Sequence, residues 1–128
     1  MKIYIGGDSG YDDHFIEIGN RFGPFDLAIL ENGQYDKNWK YIHMMPEEVV
    51  QAAKDLKAKA LLPVHWSKFS LSIHAWDEPM IRISEEAKRK NVALVHPMIG
   101  EITYLKESSG STAWWENITI GNNQDQKR

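Results

Sequence analysis

The chain has 128 residues, of which 42% are hydrophobic and 26% charged, with a formal net charge of −3 and no cysteine. This length suits one domain at most, and the apolar content is enough for a core, so wholesale disorder is excluded. Without cysteine there are no disulfides or thiolate metal sites, the missing basic stripe argues against nucleic acid, and no run approaches the ~18 apolar residues of a membrane helix.

The chain opens on an apolar run, Ile3-Tyr4-Ile5-Gly6, which reads as a strand ending at Asp8-Ser9-Gly10. It is too short for a secretory leader, so a cytoplasmic protein is the expectation. Residues 12–22 follow with Phe15, Ile18 and Phe22 at helical spacing, and Gly23-Pro24 closes the helix. Residues 26–30 form a second apolar strand, and residues 31–45 a long loop holding Tyr35, Trp39, Tyr41 and His43. Pro46-Glu47-Glu48 opens a helix, with proline in the first turn and two acids at the positive end of the dipole. Its apolar stripe is Val49, Ala53 and Leu56.

Residues 60–64 are the next strand, ending at His65-Trp66, and residues 66–76 another loop. Residues 78–90 read as a third helix with Met80, Ile83 and Ala87 inward and Arg82 set to pair with Glu86. Strands are expected over 92–95 and 102–105, joined as a hairpin through Met98-Ile99-Gly100. The domain is therefore placed at residues 1–106. The remainder, 107–128, is a polar tail expected to be loose, in which Trp114, Trp115 and Ile118 could dock on a neighbouring surface.

The order of elements predicts an α/β layer: one mixed sheet with its helices on one face. The strands are nearly continuous apolar runs, a pattern that matches burial on both faces. Three helices cover one face, and nothing else in the chain is apolar enough to cover the other. A second copy or a further sheet is the expected partner.

Five stretches in register carry a resemblance: Gly7-Asp8-Ser9-Gly10-Tyr11, Arg21 through Ala28, Tyr41 through Glu48, Val64-His65-Trp66 and His74 through Pro79. Together they resemble the metallo-β-lactamase superfamily, and within it the branch of zinc-dependent hydrolases similar to N-acyl-phosphatidylethanolamine-hydrolysing phospholipase D. The resemblance covers about residues 2–105. It implies the C-terminal half of an αββα sandwich, whose intact members hold two zinc ions and hydrolyse phosphodiesters or esters. It implies Asp8 as the carboxylate bridging both metals, His65 as a terminal ligand and His43 as a catalytic histidine near the substrate. The family's His-x-His-x-Asp-His signature does not occur among the five histidines of this chain. Whether the chain is an enzyme is left open by the sequence. A half-domain inactive alone, a hydrolase completed by dimerisation or by a separate N-terminal half, and a non-catalytic interaction module all remain.

Each candidate has a plainer role. Asp8 can serve as a turn residue and His65 as a buried histidine bonded to a carbonyl. His43 can be a solvent-exposed loop residue. Tyr35, Trp39 and Trp76 are candidates to line a substrate pocket, or to anchor their loops. His74 has a local charge pair as its simplest account.

Overall fold

The computed structural model describes residues 1–69, 71–105 and 112–118. These fall into two compact units, Met1–Val95 and His96–Arg128. In the first unit a four-stranded sheet runs β1 (Ile3–Ile5), β2 (Leu27–Glu31), β3 (Ala60–Val64) and β4 (Ala93–Leu94), in chain order across the sheet. Helices α1 (His14–Phe22), α2 (Pro46–Asp55) and α3 (Glu78–Lys90) connect them. Because each crossover moves the chain one strand in the same direction, right-handed connections bring all three helices to one face.

All three strand pairs are parallel, so the expected mixed sheet is corrected. Its antiparallel member was to be residues 102–105, which adopt no regular structure, and the hairpin is absent among the described residues. After β4, Pro97 offers no N–H for a ladder, and Met98–Glu101 closes a turn in which the Glu101 carboxylate accepts from Met98 N at 2.8 Å.

Register separates the two faces. Tyr4 aligns with Ala28, Ala28 with Leu61 and Leu61 with Leu94, and this row lies under the helices. Ala28 and Leu61 are fully buried, and the Tyr4 ring meets Phe15 of α1 and Phe25 edge-on. The neighbouring row, Ile5, Ile29 and Leu62, belongs to the opposite face. There Ile5 is 72% exposed and Val64 is also exposed, while Ile29 and Leu62 are half-buried. The helix-less face therefore keeps open apolar surface.

The inward stripes of α2 and α3 are those the spacing predicts: Val49, Ala53 and Leu56, and Met80, Ile83 and Ala87, are all buried. In α1 the stripe is shorter. Phe15 is buried but Phe22 is 52% exposed, because α1 approaches α2 through Gly19, where an added Cβ would strike the Asp55 carbonyl oxygen. Arg82 does not pair with Glu86. It makes a forked contact to Glu47 of α2, at 2.9 and 2.7 Å, and reaches Glu78 one turn back. Two parallel bonds to one carboxylate outcompete a single i,i+4 pair. Glu86 binds Arg89 and Lys90 instead.

In the second unit a 3₁₀ turn, Trp114–Asn117, buries both tryptophans, and Trp114 Nε1 donates to the His96 carbonyl at 3.1 Å. The rest of the expected tail, 107–111 and 119–128, lies outside the described residues.

Phe15 sits at the junction of α1 with Tyr4 and Tyr11. Phe15→Ala is expected to cost about 3–5 kcal/mol of stability in denaturant unfolding, the range for emptying a buried aromatic site. A loss under about 1 kcal/mol would contradict this packing.

Candidate metal centre

Three chain segments meet at the C-terminal edge of the parallel sheet, where α/β folds place their ligands. The first leaves β1. Gly6 N donates to the Ile29 carbonyl, the last rung beside β2, and Gly7 then turns the chain with φ +62. A positive φ suits glycine, and the turn sets Asp8 at the edge with its side chain exposed.

The second segment leaves β3. Asn32 N donates to the Val64 carbonyl at 2.9 Å, which holds the end of β3 against the loop that leaves β2. His65 follows with φ +67 and Ser67 with φ +72, both left-handed conformations that are uncommon for residues with a Cβ. Gln34 and Trp66 support this bend through bonds to the His65 and Pro63 carbonyls. Gly33 lies so close beneath it that an added Cβ would strike the His65 carbonyl oxygen.

The third segment is the loop from β2 to α2. Asp36 caps a 3₁₀ turn, Lys37–Trp39, and His43 N closes back on the Trp39 carbonyl. Gly10 N binds the Tyr41 carbonyl, which ties this loop to the turn after β1. Glu48 Oε2 accepts from Met45 N at 2.8 Å and so fixes the start of α2. His43 is thereby brought beside His65, with ring centroids 5.7 Å apart.

The result is a cluster of Asp8, His43 and His65 whose donor atoms all lie within 4.8 Å of one another. Asp8 Oδ1 is 3.3 Å from His65 Nδ1. A tetrahedral zinc with bonds of ~2.0–2.1 Å has ligand atoms ~3.3–3.4 Å apart, so this pair fits one ion as it stands. The donor set of one carboxylate and two imidazoles suits zinc, and also manganese or iron.

Reasoning from the sequence passed over Glu31. It ends β2 and its side chain is only 1% exposed. Oε1 accepts from Met44 N at 2.7 Å, and Oε2 lies 3.4 Å from His43 Nδ1. Burial pushes the Glu31 carboxyl up to about 7, with bonds from the Met44 and Gly33 amides opposing and the charge of Asp8 adding to the rise. Burial holds the His43 imidazole below its usual value, against Asp8 and with His65. Glu31 fits the rule that singles out Asp8 and His65, a titratable group at the end of a buried strand, although its sequence context reads as the start of a loop.

The aromatic candidates separate. The Trp39 ring lies edge-on to His43 at 6.1 Å, beside the cluster. Tyr35 is buried and turned toward α3: its hydroxyl donates to Glu78, Arg82 covers one face, and His74 stacks on the ring at 4.2 Å. His74 thus has a ring partner in place of the expected charge pair. Trp76 is half-buried ahead of α3 and makes no ring contact with the cluster among the described residues.

Residues 1–66 match the family model described as the beta-lactamase superfamily domain, and the chain belongs to that family. It is similar to an outer membrane protein RomA of Klebsiella pneumoniae, with 69% identity over 65 residues, covering 51% of this chain and 49% of that protein. It is also 32% identical over 109 residues to an N-acyl-phosphatidylethanolamine-hydrolyzing phospholipase D of Caenorhabditis elegans, covering 79% of this chain and 31% of that one. A metallo-beta-lactamase fold protein of Bacillus subtilis superposes with a TM-score of 0.56 at 24% identity, over 77% of this chain and 38% of that structure. The fold is thus that of the metallo-β-lactamases, and the chain spans half or less of the length of each of these proteins. Among the described residues no helix is long and apolar enough to cross a membrane.

Gly33→Ala is expected to displace the bend at His65 and lower the denaturation midpoint beyond the usual cost of a strand-end alanine. Matching shifts of the His65 ring signals by NMR would accompany it. An unchanged midpoint would refute the close approach.

Proposed function

We propose that this chain supplies the C-terminal half of a metal-dependent hydrolase site, with Asp8 and His65 as metal ligands and His43 as the catalytic histidine beside them. The 3.3 Å contact of Asp8 with His65 at the sheet edge is the observation that supports this most directly. A divalent cation bound there supplies Lewis acidity and a water-derived nucleophile at neutral pH. Asp8 and His65 orient that centre. His43, its imidazole held below the usual value mainly by burial, would accept or return a proton at the reacting group. Trp39, edge-on to the His43 ring, lies beside it.

Two protein ligands hold a catalytic ion weakly, since catalytic zinc sites take about three. A further set of ligands therefore comes from outside the described residues, and this chain alone does not turn over substrate. The open apolar face at Ile3, Ile5 and Val64 agrees with a missing layer there. The covering layer is the other half of a sandwich or, as a second reading favoured by the same exposed isoleucines, another copy of this chain. In the completed site the metal is zinc, two ions as in the family resemblance. The substrate is a phosphodiester or ester, a class to which the name of the C. elegans relative points.

Titration of the purified chain with Co²⁺, followed by its visible spectrum, is expected to show one weak site, and Asp8→Ala or His65→Ala to weaken it at least about tenfold. The chain alone is expected not to hydrolyse bis(p-nitrophenyl) phosphate. No Co²⁺ binding, or binding indifferent to both substitutions, would overturn the assignment. Light scattering decides the second reading: a monodisperse monomer removes the homodimer.

A further inference from the structure

We infer that Glu31 is a positioning residue that selects the tautomer of His43, holding the proton on Nδ1 and leaving Nε2 with its lone pair. The inference rests on the proposed role of His43, but its chemistry resides in this chain alone.

The geometry is a carboxylate shared between two jobs. Oε1 takes the Met44 amide at 2.7 Å, and this fixes the backbone one residue beyond His43. With that oxygen committed, the other is aimed at the imidazole: Oε2 and His43 Nδ1 are 3.4 Å apart, and both atoms are buried. Neither makes a well-aligned hydrogen bond among the described residues, and beside Met44 only the Gly33 amide also approaches this carboxylate. In its ionised form Glu31 only accepts, so the nitrogen facing it then has to donate. The proton then resides on Nδ1, and Nε2 keeps its lone pair. An oriented carboxylate behind a histidine sets the ring's tautomer and angle in this way at metal sites and in catalytic triads.

A role in packing alone predicts something different. If Glu31 only satisfies the Met44 amide, glutamine does so equally well through its carbonyl oxygen, and His43 should not notice the change. If Glu31 sets the tautomer, Glu31→Gln inverts it. The amide oxygen stays on Met44 N–H, so the NH₂ group faces His43. Nδ1 must then accept, and the proton moves to Nε2.

Long-range ¹H–¹⁵N correlation of the histidine rings, on the metal-free chain at pH 8.5, reads this directly. The expected result is Nδ1–H for His43 in the wild-type chain and Nε2–H in Glu31→Gln, with the unfolding midpoint of the variant close to that of the wild type. Wild-type His43 protonated on Nε2, or the same tautomer in both proteins, overturns the inference. The wild-type measurement decides the matter even if the variant folds poorly. Because no metal is present, the outcome is independent of the Co²⁺ titration. A chain that fails to bind metal yet shows the tautomer switch would refute the metal reading and leave this one standing.

Discussion

Parallel hydrogen bonding between β1, β2 and β3 holds three chain exits level at one edge of the sheet. Ile5 aligns with Ile29 and Ile29 with Leu62, so the ends of the strands differ by only a residue or two in height. Asp8, Glu31 and His65 each lie at or just beyond such an end. A slip of one residue in β3 would send every side chain of that strand to the other face and carry His65 away from Asp8. The chemistry of the cluster thus depends first on backbone register. The long-range bonds that close the edge, Gly6 to Ile29 and Asn32 to Val64, matter as much as the side chains themselves.

Around that register the fold spends unusual backbone. Gly7, His65 and Ser67 all have positive φ, and Gly33 is pressed against the His65 carbonyl. Left-handed residues other than glycine persist where their surroundings over-determine them. Here those surroundings are Gln34, which binds the His65 carbonyl, and the Trp66 indole, which binds the carbonyl of Pro63. The bend gives an exposed imidazole a fixed direction. It faces an exposed aspartate on one side and a half-buried histidine on the other. Such a combination of two open donors and one sheltered, carboxylate-backed ring suits a site that finishes its coordination with groups from elsewhere.

The helix layer and the open face bear on the same point. One side of the sheet is sealed by Ala28, Leu30 and Leu61 under the helices, while Ile5 and Val64 on the other side meet solvent. Strands this apolar on both faces belong between two layers. That physical mismatch agrees with the share of each relative that the chain spans.

Much was legible in the order of residues. Periodicity placed the helices and their buried stripes, since a 3.6-residue repeat needs no knowledge of the partner. The strand-end rule and the motif register found Asp8 and His65, and the structure brings them to 3.3 Å. Long-range choices were not legible, because they depend on which groups compete in space. Phe22 reads as inward by spacing yet is exposed, since Gly19 lets α1 approach α2 by another line. Tyr35 reads as a pocket aromatic, but Glu78 and Arg82, more than forty residues on, claim it for α3. Residues 102–105 have the composition of a strand yet adopt no regular structure. Sequence alone therefore determined the helices, the first four strands and the family, and placed a carboxylate and an imidazole at strand ends. The tertiary structure decided the all-parallel sheet and the 3.4 Å approach of Glu31 to His43, because which groups meet depends on how the distant segments fold together.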